Sequence, residues 1–248
     1  MTETNSPELK SLEGRRCVLV GATGGIGAAC ARGLLASGAS VVLAGHGPAR
    51  LRNLIHQLEA EGHGAAQITS LSVDLRFDMA CEALLKHASE KLGGPPEVVI
   101  NASGAGKFGD LQTQDLSELL EQIELNLSGT VRLVHAFAGA LVETKGVYVQ
   151  LLSGLAHAPK GGASVYVATQ HALKGLMASL RLELGGKGAR FATVTVAGPG
   201  VDTRFWDKAD PRTPRGAMMS PARVSEAVMT VLLSSRESLM DDLRIRTP

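Results

Sequence analysis

The stretch Cys17-Val18-Leu19-Val20-Gly21-Ala22-Thr23-Gly24-Gly25-Ile26-Gly27 decides the fold, and the small residues Ala28-Ala29-Cys30-Ala31 follow it. Its leading apolar residues predict a buried parallel strand, and its glycines predict a tight turn into the N-terminus of a helix. Gly21 suits backbone angles forbidden to other residues, and Gly25 lets the main chain approach a bound group closely. The free amides and the dipole of that helix favour a phosphate. The alternative is a glycine-rich turn without a ligand, because such patterns also recur by chance.

The composition is typical of a globular protein with a sizeable core. The chain has 248 residues, 44% of them hydrophobic, and a net charge of +1 from 25 basic and 24 acidic residues. Basic residues form no stripe and aromatic residues make up only 3%, which argues against a nucleic-acid partner. No apolar run approaches the roughly 20 residues of a membrane span, and the N-terminus lacks a signal-peptide core. The three cysteines have no metal-ligand spacing, which predicts reduced thiols, a cytoplasmic protein and no metal site.

Strand and helix patterns alternate along the chain. After a loose polar leader over 1–14, the patterns predict strands at 17–20, 40–44, 67–73, 98–100, 147–152 and 191–196, and a short edge strand at 243–245. Besides the helix that follows the glycine turn, they predict helices at 50–61, 78–91, 116–142, 163–184 and 220–233, with a long polar loop over 201–219. This alternation predicts one α/β domain over 15–248, a Rossmann-type doubly wound, mostly parallel sheet with helices on both faces.

Five motifs, in this order, resemble those of the short-chain dehydrogenases/reductases. They are the glycine turn, Asn101-Ala102-Ser103-Gly104 after the fourth strand, the helix residue Asn126, Ser153 thirteen residues before Tyr166, and Pro199-Gly200-Val201-Asp202-Thr203 after the sixth strand. The resemblance spans nearly the whole chain, although Val20 stands where the family usually has threonine. It implies an oxidoreductase in which Tyr166 exchanges a proton with the substrate, Ser153 polarises the carbonyl and Asn126 supports the proton relay.

One position departs from the family. The family motif Tyr-x-x-x-Lys is here Tyr166-Val167-Ala168-Thr169-Gln170. Gln170 shares a helix face with Tyr166 and can donate to a ribose hydroxyl, but it carries no charge. A cation about 4 Å away is worth roughly 4 kcal/mol at an effective dielectric of 20, or about 3 pKa units. We therefore expect the pKa of Tyr166 to stay near the usual value of about 10, which suits carbonyl reduction better than alcohol oxidation.

The end of the second strand bears on the choice between NAD and NADP. An acidic residue there would bind the ribose 2′-hydroxyl, whereas this chain has Ala44-Gly45-His46-Gly47 with Arg50 close behind. We therefore expect NADP (NADPH), with NAD as the alternative; the arginine can equally be a solvent-exposed helix residue. The resemblance implies a cofactor site built from Gly21, Thr23, Gly24, Gly25, Ile26, Gly27, His46, Arg50, Asp74, Leu75, Asn101, Ala102, Ser103, Gly104, Gln170, Pro199, Gly200, Val201 and Thr203.

The substrate side is less determined by the sequence. In the family the 201–219 segment covers the substrate, so the candidates are Phe205 and Trp206, with Lys107, Phe108 and His157 from neighbouring loops. The two aromatic residues can equally anchor the loop, and His157 can be a solvated histidine. Apolar helix faces over 127–141 and 173–184 suit a homodimer or homotetramer.

The sequence thus favours an NADPH-dependent reductase of a ketone or 3-oxoacyl substrate. The missing lysine motivates a second hypothesis, a catalytically weak cofactor-binding sensor or scaffold. The third is a non-redox enzyme on the same scaffold, such as a dehydratase or epimerase. The presence of Ser153, Tyr166 and Asn126 together argues for an enzyme, because a protein that only binds the cofactor has no chemical need for all three.

Overall fold

A seven-stranded parallel sheet with strand order β3-β2-β1-β4-β5-β6-β7 forms the centre of the molecule. The computed structural model describes residues 11–234 and 239–247. The strands are β1 (Arg16–Val20), β2 (Ser40–Gly45), β3 (Ile68–Ser72), β4 (Val98–Asn101), β5 (Val147–Ser153), β6 (Arg190–Ala197) and β7 (Asp242–Arg246). In the central register Cys17 lies between Val41 and Val98. The doubly wound sheet predicted from the sequence is confirmed.

Helices cover both faces of the sheet. They are α1 (Gly25–Ala36), α2 (Pro48–Ala60), α3 (Ala80–Leu92), α4 (Leu116–Ile123), α5 (Gly129–Glu143), α6 (Ser164–Leu184), α7 (Phe205–Ala209) and α8 (Pro221–Leu233). One apolar cluster joins α1, α2 and α8 to the sheet through Cys17 and Leu19, and a second joins α3, α5 and α6 through Val18 and Val20. Alternate residues of β1 therefore enter opposite cores, which is why Cys17 to Val20 form an unbroken apolar run.

The helix predicted over 116–142 contains a structural irregularity. Helices α4 and α5 are joined without a break by a π turn, Glu124–Ser128. A π turn holds one residue more than an α-helical turn, and such turns are frequent at functional sites. Periodicity alone could not show it, because the apolar pattern continues on both sides.

Three expectations need correction. Leu12 is buried and its amide donates to the Ser37 carbonyl at 2.9 Å, so residues 11–14 belong to the packed domain and not to a loose leader. The remainder of that leader, 1–10, lies outside the described residues. The 201–219 loop contains the short helix α7. The apolar faces over 127–141 and 173–184 are largely used inside the protomer, where Leu133 and Leu173 are buried by the fold itself.

The continuous helical run Leu116–Glu143 has the length and apolar composition of a membrane span. It packs instead on the sheet, with Leu133, Phe137 and Leu141 fully buried. Within the described part of the chain, the protein core thus accounts for the apolar residues of its second half that face the sheet.

Candidate active site

The motif residues gather at the carboxyl edge of the sheet. The glycine turn follows β1, the asparagine turn follows β4, Ser153 ends β5 and Pro199-Gly200 follows β6. In parallel α/β sheets this edge is where ligands bind. The topology thus brings segments that are far apart in sequence into one cleft.

The glycine turn has the geometry expected for a phosphate site. Gly21 has φ +78°, and a Cβ there would lie 2.6 Å from the Ala102 carbonyl carbon; a Cβ on Gly27 would overlap the Gly21 carbonyl oxygen. Gly24 is the N-cap of α1, which has no side-chain cap and no acidic residue in its first turn. The first amides of this helix have no intrahelical acceptors. The turn, which also contains Thr23 and Ile26, therefore offers uncompensated donors to an anion.

Cationic side chains surround the ends of β2 and β3. Asp74 is mostly buried and accepts hydrogen bonds from Arg76 at 2.7 Å, while His46 Nδ1 lies 3.7 Å from the same carboxylate. Hydrogen bonds from Arg76 lower the pKa of Asp74, so this carboxylate is ionised and already paired. Arg50 folds back over Gly47, at the end of β2. The sequence analysis did not identify Arg76, although its spacing of two residues from Asp74 could have indicated it.

The turn after β4 is held by buried hydrogen bonds. Asn101 Nδ2 donates to Thr130 Oγ1 at 3.0 Å and to Gln150 Oε1 at 3.2 Å, and its Oδ1 accepts from the backbone and the hydroxyl of Ser103. Ala102 donates its amide to the Val20 carbonyl at 2.9 Å. These bonds fix the path of the chain through Gly104, beside the glycine turn.

Asn126, in the π turn, joins three segments. Its Oδ1 accepts from the Ala105 amide at 2.9 Å, and its Nδ2 donates to the Ala105 carbonyl at 2.8 Å and to Thr169 Oγ1 at 3.3 Å. Thr169 in turn donates to the Tyr166 carbonyl at 2.8 Å. One turn earlier, Gln122 Oε1 accepts from the amide of Lys107 at 3.0 Å. Asn126 thus positions the loop after β4 against the helix that carries Tyr166.

Gln170 bridges the two segments that carry the predicted catalytic groups. Its Oε1 accepts a hydrogen bond from the Ser153 amide at 2.8 Å. That donor fixes the orientation of the amide, because only the oxygen can accept. Among residues 11–234 and 239–247, the Nε2 group of Gln170 has no hydrogen-bond acceptor, and it is not fully buried. Gln170 therefore keeps an unpaired hydrogen-bond donor at the position where the family has its lysine.

Burial raises the pKa of Tyr166 to about 12, and a hydrogen bond with the Ser153 side chain lowers it only in part. This is higher than the value of about 10 expected from the sequence, because desolvation of the phenol disfavours its anion. Nearby lysines do not compensate: Lys107 pairs with Glu118 at 2.9 Å, and Lys174 lies 3.2 Å from His157. Tyr166 is thus a neutral phenol at pH 7.

Four rings form the aromatic cluster: Phe108, Tyr166, Phe205 and Trp206. Tyr166 lies 5.4 Å from Phe108 and 5.7 Å from Phe205, measured between ring centroids. Trp206 is 8% exposed and donates its Nε1 hydrogen to the Val201 carbonyl at 3.0 Å. A Cβ on Gly200 would lie 2.5 Å from the indole ring. Trp206 therefore anchors the 201–219 segment, whereas Phe205 lies on Tyr166.

The 201–219 segment also contacts the glycine turn. Thr203 lies so close that a Cβ on Gly25 would be 2.6 Å from its Cγ2. Val201 forms an isolated bridge with Met219, which closes the segment at its base. Residues following Pro199 therefore cover both the phosphate turn and the tyrosine.

Two predicted substrate contacts are not brought into the aromatic cluster. The Lys107 ammonium points to Glu118 on α4, because that carboxylate offers it an ion pair. His157 is exposed beside Lys174; partial desolvation and the neighbouring positive charge of Lys174 lower its pKa. Of the five residues predicted on the substrate side, Phe108, Phe205 and Trp206 lie together.

Comparisons with known proteins agree with this arrangement. The family model described as short chain dehydrogenase matches residues 15–213. Glycine betaine reductase ATRR of Emericella nidulans is 30% identical over 190 residues, which are 76% of this chain but 14% of that protein. The chain therefore spans a small part of that relative.

Two solved structures share the fold over nearly their whole length. An alcohol dehydrogenase from the archaeon Thermococcus sibiricus, complexed with 5-hydroxy-NADP, has a TM-score of 0.84 and 26% identity, covering 94% of this chain and 96% of that one. A metagenomic short-chain oxidoreductase in complex with NADP has a TM-score of 0.81 and 27% identity, covering 96% and 100%. Together with the family model, these matches show that the chain belongs to the short-chain dehydrogenase/reductase family of oxidoreductases.

Proposed function

We propose that this protein is an NADPH-dependent carbonyl reductase in which Tyr166 acts as a neutral proton donor. The observation that carries the proposal is the pairing of Ser153 and Tyr166 beside an uncharged Gln170, with the pKa of Tyr166 raised to about 12. A neutral phenol can donate a proton to a carbonyl oxygen at pH 7, but few molecules carry the anion that alcohol oxidation requires.

The residues present fit a bound dinucleotide. The uncapped glycine turn suits the pyrophosphate, and the unpaired Nε2 of Gln170 suits a ribose hydroxyl. When bound, NADPH would supply the hydride. The Ser153 hydroxyl would orient the carbonyl oxygen toward the phenol, while Asn126 holds the loop after β4 against the helix that carries Tyr166.

The preference for NADP rests on the basic side chains at the ends of β2 and β3, where the adenosine of the cofactor would lie. His46 and Arg50 stand at the end of β2, and the nearby carboxylate of Asp74 is already paired with Arg76. We expect Arg50→Ala to weaken binding of NADPH more than that of NADH. Arg52→Ala, an exposed arginine of the same helix, is the matched control. Dissociation constants from cofactor fluorescence test this; tighter binding of NADH by the unaltered protein would contradict it.

Catalysis is tested by NADPH consumption with a panel of ketones. We expect Tyr166→Phe to abolish turnover while the NADPH dissociation constant stays within about twofold, because removing the hydroxyl leaves the ribose contacts intact. Turnover that survives in Tyr166→Phe would refute the role of the phenol. Cofactor binding without turnover in the unaltered protein would favour the sensor hypothesis, which the cover of Phe205 over Tyr166 also supports.

We also propose a cytoplasmic homo-oligomer. The three cysteines are buried free thiols. Leu116, Leu120 and Ile123 follow one another at helical spacing on α4 and are exposed to 67%, 53% and 37%. Such a row suits the interface between two copies. Analytical ultracentrifugation at micromolar concentration tests the assembly, and a monomer would contradict it.

A further inference from the structure

The ring of Phe205 lies against the ring of Tyr166. Its centroid is 5.7 Å from that of Tyr166 and 6.2 Å from that of Phe108. On the main-chain side the ring lies against Gly106, where a Cβ would be 2.5 Å from its Cζ. A flat hydrocarbon ring is therefore already accommodated beside the proposed proton donor.

The other three rings of the aromatic cluster are fixed. The Phe108 amide donates to the Ala209 carbonyl at 2.8 Å, and the Lys160 ammonium lies 5.2 Å from the Phe108 ring centroid. Trp206 is held by its bond to Val201, and Tyr166 belongs to the first turn of α6. These rings form stable walls around the position of the Phe205 ring.

Phe205 itself is held more loosely. Its side chain is partly exposed, as are those of Phe108 and Tyr166, and its ring contacts the other three rings and Gly106. Its amide bonds only locally, to Thr203 Oγ1 at 3.3 Å. Phe205 is thus the member of the cluster that can leave while the walls stay in place.

We propose that the substrate is an aryl carbonyl compound, an aromatic ketone or aldehyde whose ring replaces that of Phe205. The inference rests on the proposed reductase function and names its substrate class. In an aryl carbonyl the reacting group is attached directly to the ring, so a ring between Phe108 and Tyr166 brings the oxygen to the phenol and to Ser153. The carbonyl carbon accepts hydride from NADPH and the oxygen accepts the Tyr166 proton, giving a benzylic alcohol and NADP⁺; solvent then reprotonates the tyrosine.

Ring geometry predicts a preference for aromatic over saturated rings. The Phe205 ring meets Phe108 and Trp206 at interplanar angles of 71° and 88°, which are edge-to-face arrangements. Such contacts favour a flat ring with a negative face and a positive edge. A cyclohexyl ring of similar size is thicker and lacks that charge distribution, so it fits the same walls less well.

The test compares acetophenone with cyclohexyl methyl ketone, which carry the same number of heavy atoms. We expect kcat/KM for acetophenone to be higher by about tenfold in the unaltered protein. Phe205→Ala should lower the KM for both ketones by a similar factor, since neither must then displace a ring, and should leave the preference for acetophenone in place. Phe77→Ala, which removes a ring exposed to 66% elsewhere on the surface, is the matched control.

A binding measurement separates the substrate class from the proposed activity. Trp206 is the only tryptophan, and its ring lies 5.3 Å from Phe205, so its fluorescence reports occupancy of the cluster. Quenching by acetophenone but not by cyclohexyl methyl ketone, with no turnover of either ketone, would support the aryl site and refute the reductase proposal. Equal turnover of the two ketones, or quenching by neither, would overturn the aryl site.

Discussion

Replacing Gln170 with lysine tests whether the missing charge controls the direction of catalysis. The variant Gln170→Lys places an ammonium where the amide now accepts the Ser153 hydrogen bond. A cation about 4 Å from the phenol is worth roughly 4 kcal/mol at an effective dielectric of 20, or about 3 pKa units. Starting from a pKa of about 12 for Tyr166, the variant should have a pKa of about 9.

This shift changes the two directions of reaction unequally. At pH 7 the tyrosinate fraction should rise from about 10⁻⁵ to about 10⁻², so alcohol oxidation can accelerate by up to about a thousandfold. Carbonyl reduction should change little, because the neutral phenol predominates in both proteins. In the unaltered protein the oxidation rate should continue to rise with pH through the alkaline range, in line with the raised pKa of Tyr166.

The assay is the initial rate of alcohol oxidation with NADP⁺ and of ketone reduction with NADPH, from about pH 6 to about pH 10. Gln170→Met is the control, since it removes the same hydrogen bond without adding charge. Both variants leave the Ser153 amide without its acceptor and should lose roughly 1–3 kcal/mol of unfolding free energy. If the lysine and methionine variants oxidise alcohols with the same pH profile, the electrostatic reasoning is refuted.

Three further outcomes follow from the packing. Burial raises the pKa of Cys30 from 9.0 to about 12, so above pH 9 this thiol loses its proton in the unfolded chain first, and the unfolding free energy falls as the pH rises. In urea denaturation at several pH values, Cys30→Ala should make this fall less steep by up to about 1.4 kcal/mol per pH unit. Asn126→Ala leaves buried backbone groups unpaired, and we expect the same measurement at pH 7 to show a loss of roughly 1–3 kcal/mol; an unchanged midpoint would contradict its positioning role. Gly25→Ala should weaken NADPH binding by about tenfold, because the new methyl group meets the Thr203 side chain, and adding Thr203→Ser should restore part of the affinity. In Gly27→Ala the methyl group meets main chain, so Thr203→Ser should not restore its affinity for NADPH.

The order of strands and helices followed from the sequence because buried parallel strands are apolar runs and their connecting helices are amphipathic. The family motifs then gave the edge of the sheet at which the site lies. Periodicity could not show the π turn around Asn126, since the same residues satisfy either helix. It also missed α7, whose five residues are too few for a periodic signal.

The environment of each site residue depended on tertiary contacts. Phe205 and Trp206 are adjacent in sequence, and only the Val201 carbonyl and the space above Gly200 show which ring is the anchor. Because residue 170 is uncharged, the sequence predicted that it would not lower the pKa of Tyr166, and no cation among the described residues does so. The rise to about 12 comes from burial in the folded protein, which no local pattern contains.

The π turn at Glu124–Ser128 makes chain length itself a determinant of the site. A π turn fits one residue more into a turn than an α-helix does, so deleting one residue from it would leave a regular helix with α4 and α5 in nearly the same relative orientation. The main chain around Asn126 would then be drawn in, and the bonds from its side chain to Ala105 and Thr169 would be lost although Asn126 itself is still present. The extra residue of this turn is therefore as constrained as the identity of any residue that lines the cleft.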